Sequence, residues 1–154
     1  MLKLGKFNKS AKELLENSYE NIYERDRTAL HYAIDAKTVR LLVEKGANVN
    51  AADVEGHTAL HLAVTEKRLE IVRELIKSGG NVNAEEYGNK CTPLHLACMI
   101  GEKEIVKELV KAGGEIEQAD KFGMTAMDYA KNSKEITEIL KKEIDRIEKL
   151  FMKG

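Results

Sequence analysis

The sequence predicts an all-α solenoid: helix–turn–helix units stacked side by side, with projecting β-hairpin-like loops and a helical cap at each end. Three observations predict it. The tetrapeptide TALH at 28–31 returns as TALH at 58–61, TPLH at 92–95 and TAMD at 125–128, in steps of 30, 34 and 33 residues. Self-similarity at such a period is the mark of a repeat architecture. Downstream of the first three copies, VRLLVEKGANVNAAD, IVRELIKSGGNVNAEE and IVKELVKAGGEIEQAD match one another. Each copy also holds two apolar-faced helical segments too short to be stable alone in water, so each must bury its face against its neighbours.

Taken in order, Ser10 and Glu13 form an S-x-x-E capping box ahead of Leu14 and Leu15, which predicts a short covering helix over 10–18. The first unit, from Thr28 to Gly46, is three residues shorter than Thr58–Gly79, with the loss inside YAIDAKTV. Its first helix or its inter-helix turn must therefore be tightened. The third unit shows the pattern in full. Thr92 is an N-cap and Pro93, the one proline of the chain, takes the first helical position, where a missing N–H does no harm. Leu94, Ala97 and Cys98 fall on one face and Gly101 ends the helix. A second helix follows, with Ile105, Val106, Leu109 and Val110 inward, Glu104, Lys107, Glu108 and Lys111 outward, and Gly113 as a left-handed cap.

The loop AEEYGNKCT holds one residue more than AADVEGHT, which predicts a longer finger around Tyr87–Lys90. The last unit is expected to lose three residues at YAKNSKEITEIL. Its second helix should run from about Lys134 to Met152, with Ile136, Leu140, Ile144, Ile147 and Phe151 along one side. The resulting division of the single domain is a capping helix over 1–19, units over 20–52, 53–85 and 86–119, and a last unit over 120–154 that merges into the long C-terminal cap.

These residues resemble the ankyrin repeat, a unit of about 33 residues with a T-P-L-H-x-A signature. The signature residues here are Thr28, His31, Thr58, His61, Thr92, Pro93, His95 and Thr125, and the resemblance covers about residues 20–140. It implies that the repeated histidines bond the threonine and nearby turn backbone. It also implies a non-enzymatic protein–protein interaction module, acting as scaffold, adaptor or inhibitor through a concave surface of finger turns and first helices. By position the surface would comprise Glu24, Arg25, Arg27, Asp35 and Ala36, then Val54, Glu55, His57, Thr65 and Glu66. The later units would add Tyr87, Asn89, Cys91, Met99 and Ile100, then Lys121, Phe122, Met124, Asn132 and Ser133. The first half is polar and charged with both signs. The second half carries Tyr87, Met99, Ile100, Phe122 and Met124, an apolar anchor of the sort that concentrates binding energy.

Other chemistry is poorly supplied. The net charge is −1 with no basic block, which argues against nucleic acid and anionic membrane as partners. There is no apolar run that could span a bilayer and no signal-like h-region, so a cytoplasmic location is expected. His31, His61 and His95 spread along the stack as a ladder, whereas zinc needs convergent ligands, so no metal and no cofactor is expected. Cys98 belongs to the apolar face. Cys91 stands just before a helix, where exposure would favour its thiolate and redox chemistry, but an architectural role is the one expected. No P-loop, G-x-S-x-G, G-x-G-x-x-G or H-E-x-x-H occurs, so an enzyme is not expected. Asn50 and Asn83 are expected to bond turn backbone. In the ankyrin family an asparagine so placed is sometimes hydroxylated. The apolar side of the C-terminal helix leaves an alternative: a self-assembly module, dimeric through Ile144, Ile147, Leu150 and Phe151, in place of a monomer. Asp145 and Glu148 interrupt its basic residues and disfavour a membrane surface.

Overall fold

The computed structural model describes residues 27–153. The expected capping helix over 10–18, and with it Glu24 and Arg25, lies outside them. Among the described residues the chain forms a 3-10 turn, Ala29–Tyr32, and seven α-helices. These are α1 (Ala36–Glu44), α2 (Ala59–Thr65), α3 (Leu69–Lys77), α4 (Pro93–Ile100), α5 (Lys103–Lys111), α6 (Ala126–Ala130) and α7 (Lys134–Met152). The first helices α2, α4 and α6 pack side by side, and α1, α3, α5 and α7 form a second row behind them.

Each unit starts where a threonine stops the extended backbone. Thr58, Thr92 and Thr125 accept the N–H of the third helical residue, and the side chain of that residue returns to the threonine N–H. In the first unit the missing residues leave a single 3-10 turn, and Asp35 starts α1 by accepting from the Thr38 N–H at 2.7 Å. The second helix begins eleven residues after the cap threonine in the two inner units, Thr58 to Leu69 and Thr92 to Lys103. The interval is eight in the first unit, Thr28 to Ala36, as expected, and nine in the last, Thr125 to Lys134. The last unit is thus shortened by two residues and not the expected three. The reason is that α6 keeps one more residue than the opening 3-10 turn before the chain reverses.

The glycine pairs end second helices. Gly79 and Gly113 adopt φ of +94° and +96°, and the next N–H, of Gly80 and Gly114, returns to the Leu75 and Leu109 carbonyls at 2.8 Å. A Cβ on Gly80 or Gly114 would stand 2.8 or 2.9 Å from those same oxygens, whereas Ala47 fills this place in the first unit with the longer bond of 3.0 Å to the Leu42 carbonyl.

The core runs between the two rows. Val39, Val72 and Val106 repeat one register with no exposed surface, as do Leu42, Leu75 and Leu109 with at most 1%. Each such side chain stabilises the stack by about 1.5–3 kcal/mol. Helix α4, sequence PLHLACMI, is apolar nearly all round because α2 and α6 flank it and α5 lies behind. The outer row instead alternates apolar and charged residues, and Arg40–Glu74 (3.0 Å), Arg73–Glu108 (3.1 Å) and Lys103–Glu135 (3.1 Å) link successive helices along it. The second and third pairs are exposed and add little, whereas Glu74 of the first is buried. No described helix is long and apolar enough to cross a membrane.

Candidate functional site: finger loops and first helices

Between a second helix and the next cap threonine the chain projects a finger closed by one acid. Asp53 donates its N–H to the His57 carbonyl at 2.9 Å, and its Oδ1 accepts from the Glu55 and His57 N–H groups, each at 2.9 Å. Asp120 closes the last finger in the same way: its N–H meets the Met124 carbonyl at 2.9 Å, and its Oδ1 accepts from Phe122 and Met124. The third finger is one residue longer, as the sequence predicts, and there the acid is Glu86. Its extra methylene lets it accept from Gly88 (2.7 Å), Asn89 (2.6 Å) and Cys91 (3.2 Å). Side-chain reach thus matches loop length.

All three acids are buried. Burial opposes their ionisation, yet donors outweigh it and hold each carboxyl below its usual range: the His57 N–H, Arg27 and the Glu55 N–H for Asp53. The Cys91, Asn89 and Gly88 N–H groups do so for Glu86, and the Tyr129 hydroxyl with the Met124 and Phe122 N–H groups for Asp120. Tyr129 in turn is pushed up to about 12 by its bond to Asp120.

The histidine ladder joins one unit to the next. Nδ1 of His31, His61 and His95 accepts the N–H of Thr28, Thr58 and Thr92 at 3.0–3.1 Å, which places the ring proton on Nε2. Nε2 then donates into the following finger: to the His57 carbonyl (2.8 Å), the Cys91 carbonyl (3.2 Å), and the Gln118 and Met124 carbonyls (2.9 and 3.1 Å). The role that the resemblance implies therefore holds, with the addition that the turn bonded belongs to the next unit. In the last unit Asp128 replaces histidine and accepts the Thr125 N–H at 2.8 Å. Burial pushes His61 down to about 4 and lowers His31 as well. Asn50 and Asn83 make the parallel link, each donating to a carbonyl (Gly79, Gly113) and accepting an N–H (Asn81 at 2.7 Å, Glu115 at 2.8 Å) in the next unit.

The fingers also bond directly: the Tyr87 N–H donates to the Glu55 carbonyl and the Lys121 N–H to the Asn89 carbonyl, both at 2.8 Å. Tyr87 lies across Gly56 so closely that a Cβ there would sit 2.7 Å from the Tyr87 N and Cδ1. From this frame Tyr87 and Phe122 project with 68% of their surface exposed, Val54 with 54% and Met99 of α4 with 46%. Ile100 is half-buried against the core and Met124 is half-buried at the foot of its finger. Glu55 and Glu66 are exposed, with Glu66 paired to Arg68 at 2.8 Å. Arg27 is drawn inward, its Nε 3.1 Å from Asp53 Oδ2.

Cys91 is buried, and its thiol is pushed up to about 11 by burial and by the charges of Asp120 and Glu86, so it is no reactive thiolate. The neighbouring finger covers it, and its S–H points at Asp120 Oδ2 at 3.9 Å. Cys98 is buried as expected and is pushed up to about 12. The sequence marks Asp120 as a turn residue, which holds, but the matching role of Asp53 and Glu86 was missed although all three share one register. Asp53, Glu55 and His57 come within 4.8 Å of one another, a spacing a metal ion could use. Asp53, however, already spends its oxygens on two N–H groups and Arg27, so the cluster is built as a turn.

A family model described as "Ankyrin repeats (3 copies)" matches residues 2–86 and 80–149. Among curated proteins, glycerophosphocholine phosphodiesterase gde1 of Schizosaccharomyces pombe is 42% identical over 92 residues, 60% of this chain and 8% of that protein. The B-cell lymphoma 3 protein homolog of Mus musculus is 41% identical over 64 residues, 39% of this chain and 14% of that protein. Alpha-latrotoxin-Lg1a of Latrodectus geometricus is 30% identical over 127 residues, 77% of this chain and 9% of that protein. The chain thus spans only a small part of the length of the relatives it matches. Ankyrin repeats are in general protein–protein interaction modules. The matched model, the threonine-capped helix pairs and the histidine ladder agree: the chain belongs to the ankyrin repeat family.

Proposed function

We propose that the protein is a non-enzymatic binding module, a scaffold, adaptor or inhibitor, that takes another protein on the finger and first-helix surface of its third and fourth units. The observation that carries this reading is the exposure of Tyr87, Phe122 and Met99 on a frame made rigid by finger-to-finger bonds. A preformed surface with aromatic and methionine anchors loses little entropy on binding. Glu55, Glu66 and His57 supply a polar rim on the second unit. Arg25 and Arg27 were candidates for the first, but Arg27 is engaged by Asp53 and Arg25 falls outside the described residues. Ile100 and Met124 are half-buried and offer the partner less surface. The non-enzymatic reading rests on occupancy: three histidines are committed to the ladder and both thiols stay protonated. The two cysteines are free thiols, which accords with a reducing, cytoplasm-like compartment.

The test is affinity capture from a lysate of the source organism with wild-type bait beside a Met99→Glu, Phe122→Glu bait. Circular dichroism confirms that both baits fold. A partner held by the first and lost from the second is the expected result. Full retention by the substituted bait would remove the third and fourth units as the binding site.

A further inference from the structure

The second-row helices α1, α3 and α5 have nine residues each, and α7 has nineteen. Its first turns cap the stack, with Ile136 and Leu140 buried and Ile139 and Ile144 partly covered. From Asp145 to Lys153 every residue is exposed, including Ile147 at 38%, Leu150 at 60%, Phe151 at 81% and Met152 at 87%. Beside α7, where it leaves the stack, lies a groove of about 540 Å³ between α7 and the turn after α5, with Val110, Ile116, Ile144 and Ile147 in its lining. Its rim is acidic. Glu143 and Arg146 pair with each other at 2.9 Å, and Lys111 is outnumbered by Glu115, Glu117 and Glu148. The tip of α7 has the opposite character: Leu150, Phe151 and Met152 stand between Lys149 and Lys153.

We propose that α7 is a homodimerisation element: two copies pair antiparallel, and the Leu150–Met152 tip of each seats in the groove beside α7 of the other. Groove and tip lie on the same chain and complement each other in polarity and charge, which is the condition for an isologous two-fold contact. An overlay centred between residues 148 and 149 sets Ile147 of each copy opposite Leu150 of the other on the side of α7 that lines the groove. Lys153 then comes toward the acidic rim at Glu115 and Glu117. Four large exposed apolar side chains, counted on both copies together with the groove walls they cover, approach the roughly 1,000 Å² that a specific interface needs. The finger residues take no part, so this contact stands apart from the partner surface described above.

Analytical ultracentrifugation of the full chain tests it, with expected dimer formation that weakens about tenfold or more in Phe151→Glu. Charge reversal is the decisive arm. A Lys149→Glu, Lys153→Glu chain and a Glu115→Lys, Glu117→Lys chain should each be monomeric. Mixed, they should form a heterodimer, since every tip then meets a groove of opposite sign. All four positions are exposed, so both chains should keep the wild-type circular dichroism spectrum. A wild-type monomer at every concentration, a dimer indifferent to the reversals, or reversed chains that fail to pair on mixing would each overturn the proposal.

Discussion

Burial acts on His61 more than on any polar contact it makes, and it fixes the ring in the neutral form. The value near 4 in the fold lies below the ordinary 6.5 of the unfolded chain. Its contribution to stability is therefore complete above about pH 6.5 and is lost as pH falls toward 4, on the order of 3 kcal/mol over the window. A proton on Nδ1 would also face the Thr58 N–H instead of accepting it. His31 is lowered too and acts in the same direction. Asp53, Glu86 and Asp120 lie below their ordinary 3.8, 4.5 and 3.8, so they weaken the fold only at the acid end of this window and below it. Urea unfolding at pH 7.5, 6 and 5 should show falling stability, with a shallower fall in His61→Gln. Equal slopes in both chains would place the sensitivity elsewhere. The histidine role was legible through the ankyrin resemblance, which the three copies carry. The burial of Cys91 was not, because a neighbouring finger covers it and no local pattern encodes that.

Elements carry the regularity, and their exceptions test it. The residue just before the carbonyl that meets each closing acid's N–H turns left-handed: Gly56 (φ +83°), Gly123 (φ +77°) and, in the longer third finger, Lys90 (φ +58°). A side chain at such a φ costs about 1–2 kcal/mol, partly offset because glycine is freer when unfolded. Lys90→Gly should therefore stabilise the chain by about 0.5–1 kcal/mol. Gly56→Ala should destabilise it by more than that, since strain is joined by a 2.7 Å approach to Tyr87. Thermal unfolding of both variants checks the pair, and a Lys90→Gly chain that melts below wild type would refute the first half. The one-residue insertion in this finger could be read from the alignment of the copies. The substitution of Glu86 for Asp is intelligible only once the fold shows three N–H groups converging on one carboxylate. Helix length was legible where apolar spacing repeats, and least so where an end unit departs from its neighbours, as with the two-residue shortening of the last.

Across the whole molecule, buried and exposed apolar residues occupy different places on the same stack. The stack is held by a register that the sequence shows openly, Val39 and Leu42 against Val72 and Leu75 against Val106 and Leu109. Exposed apolar residues collect instead on the fingers and on the last turns of α7, where periodicity continues but no covering row follows. The pattern Ile136, Leu140, Ile144, Ile147, Phe151 predicts one continuous apolar side, and the structure divides it. The first two residues are fully buried, Ile144 is at the boundary, and the last two are exposed. A sequence pattern gives the face of a helix but not where its neighbour stops. The division has a measurable consequence for the monomer. A chain ended after Asp145 keeps every buried contact of α7 and should unfold within about 1 kcal/mol of the full chain. Leu140→Ala, by contrast, empties a fully buried site and should cost about 2–5 kcal/mol. Urea titrations at the lowest workable protein concentration, where dimer formation contributes least, compare the two. A truncation as damaging as Leu140→Ala would mean that the distal turns stabilise the repeat stack itself, and the separation between cap and contact surface would not hold.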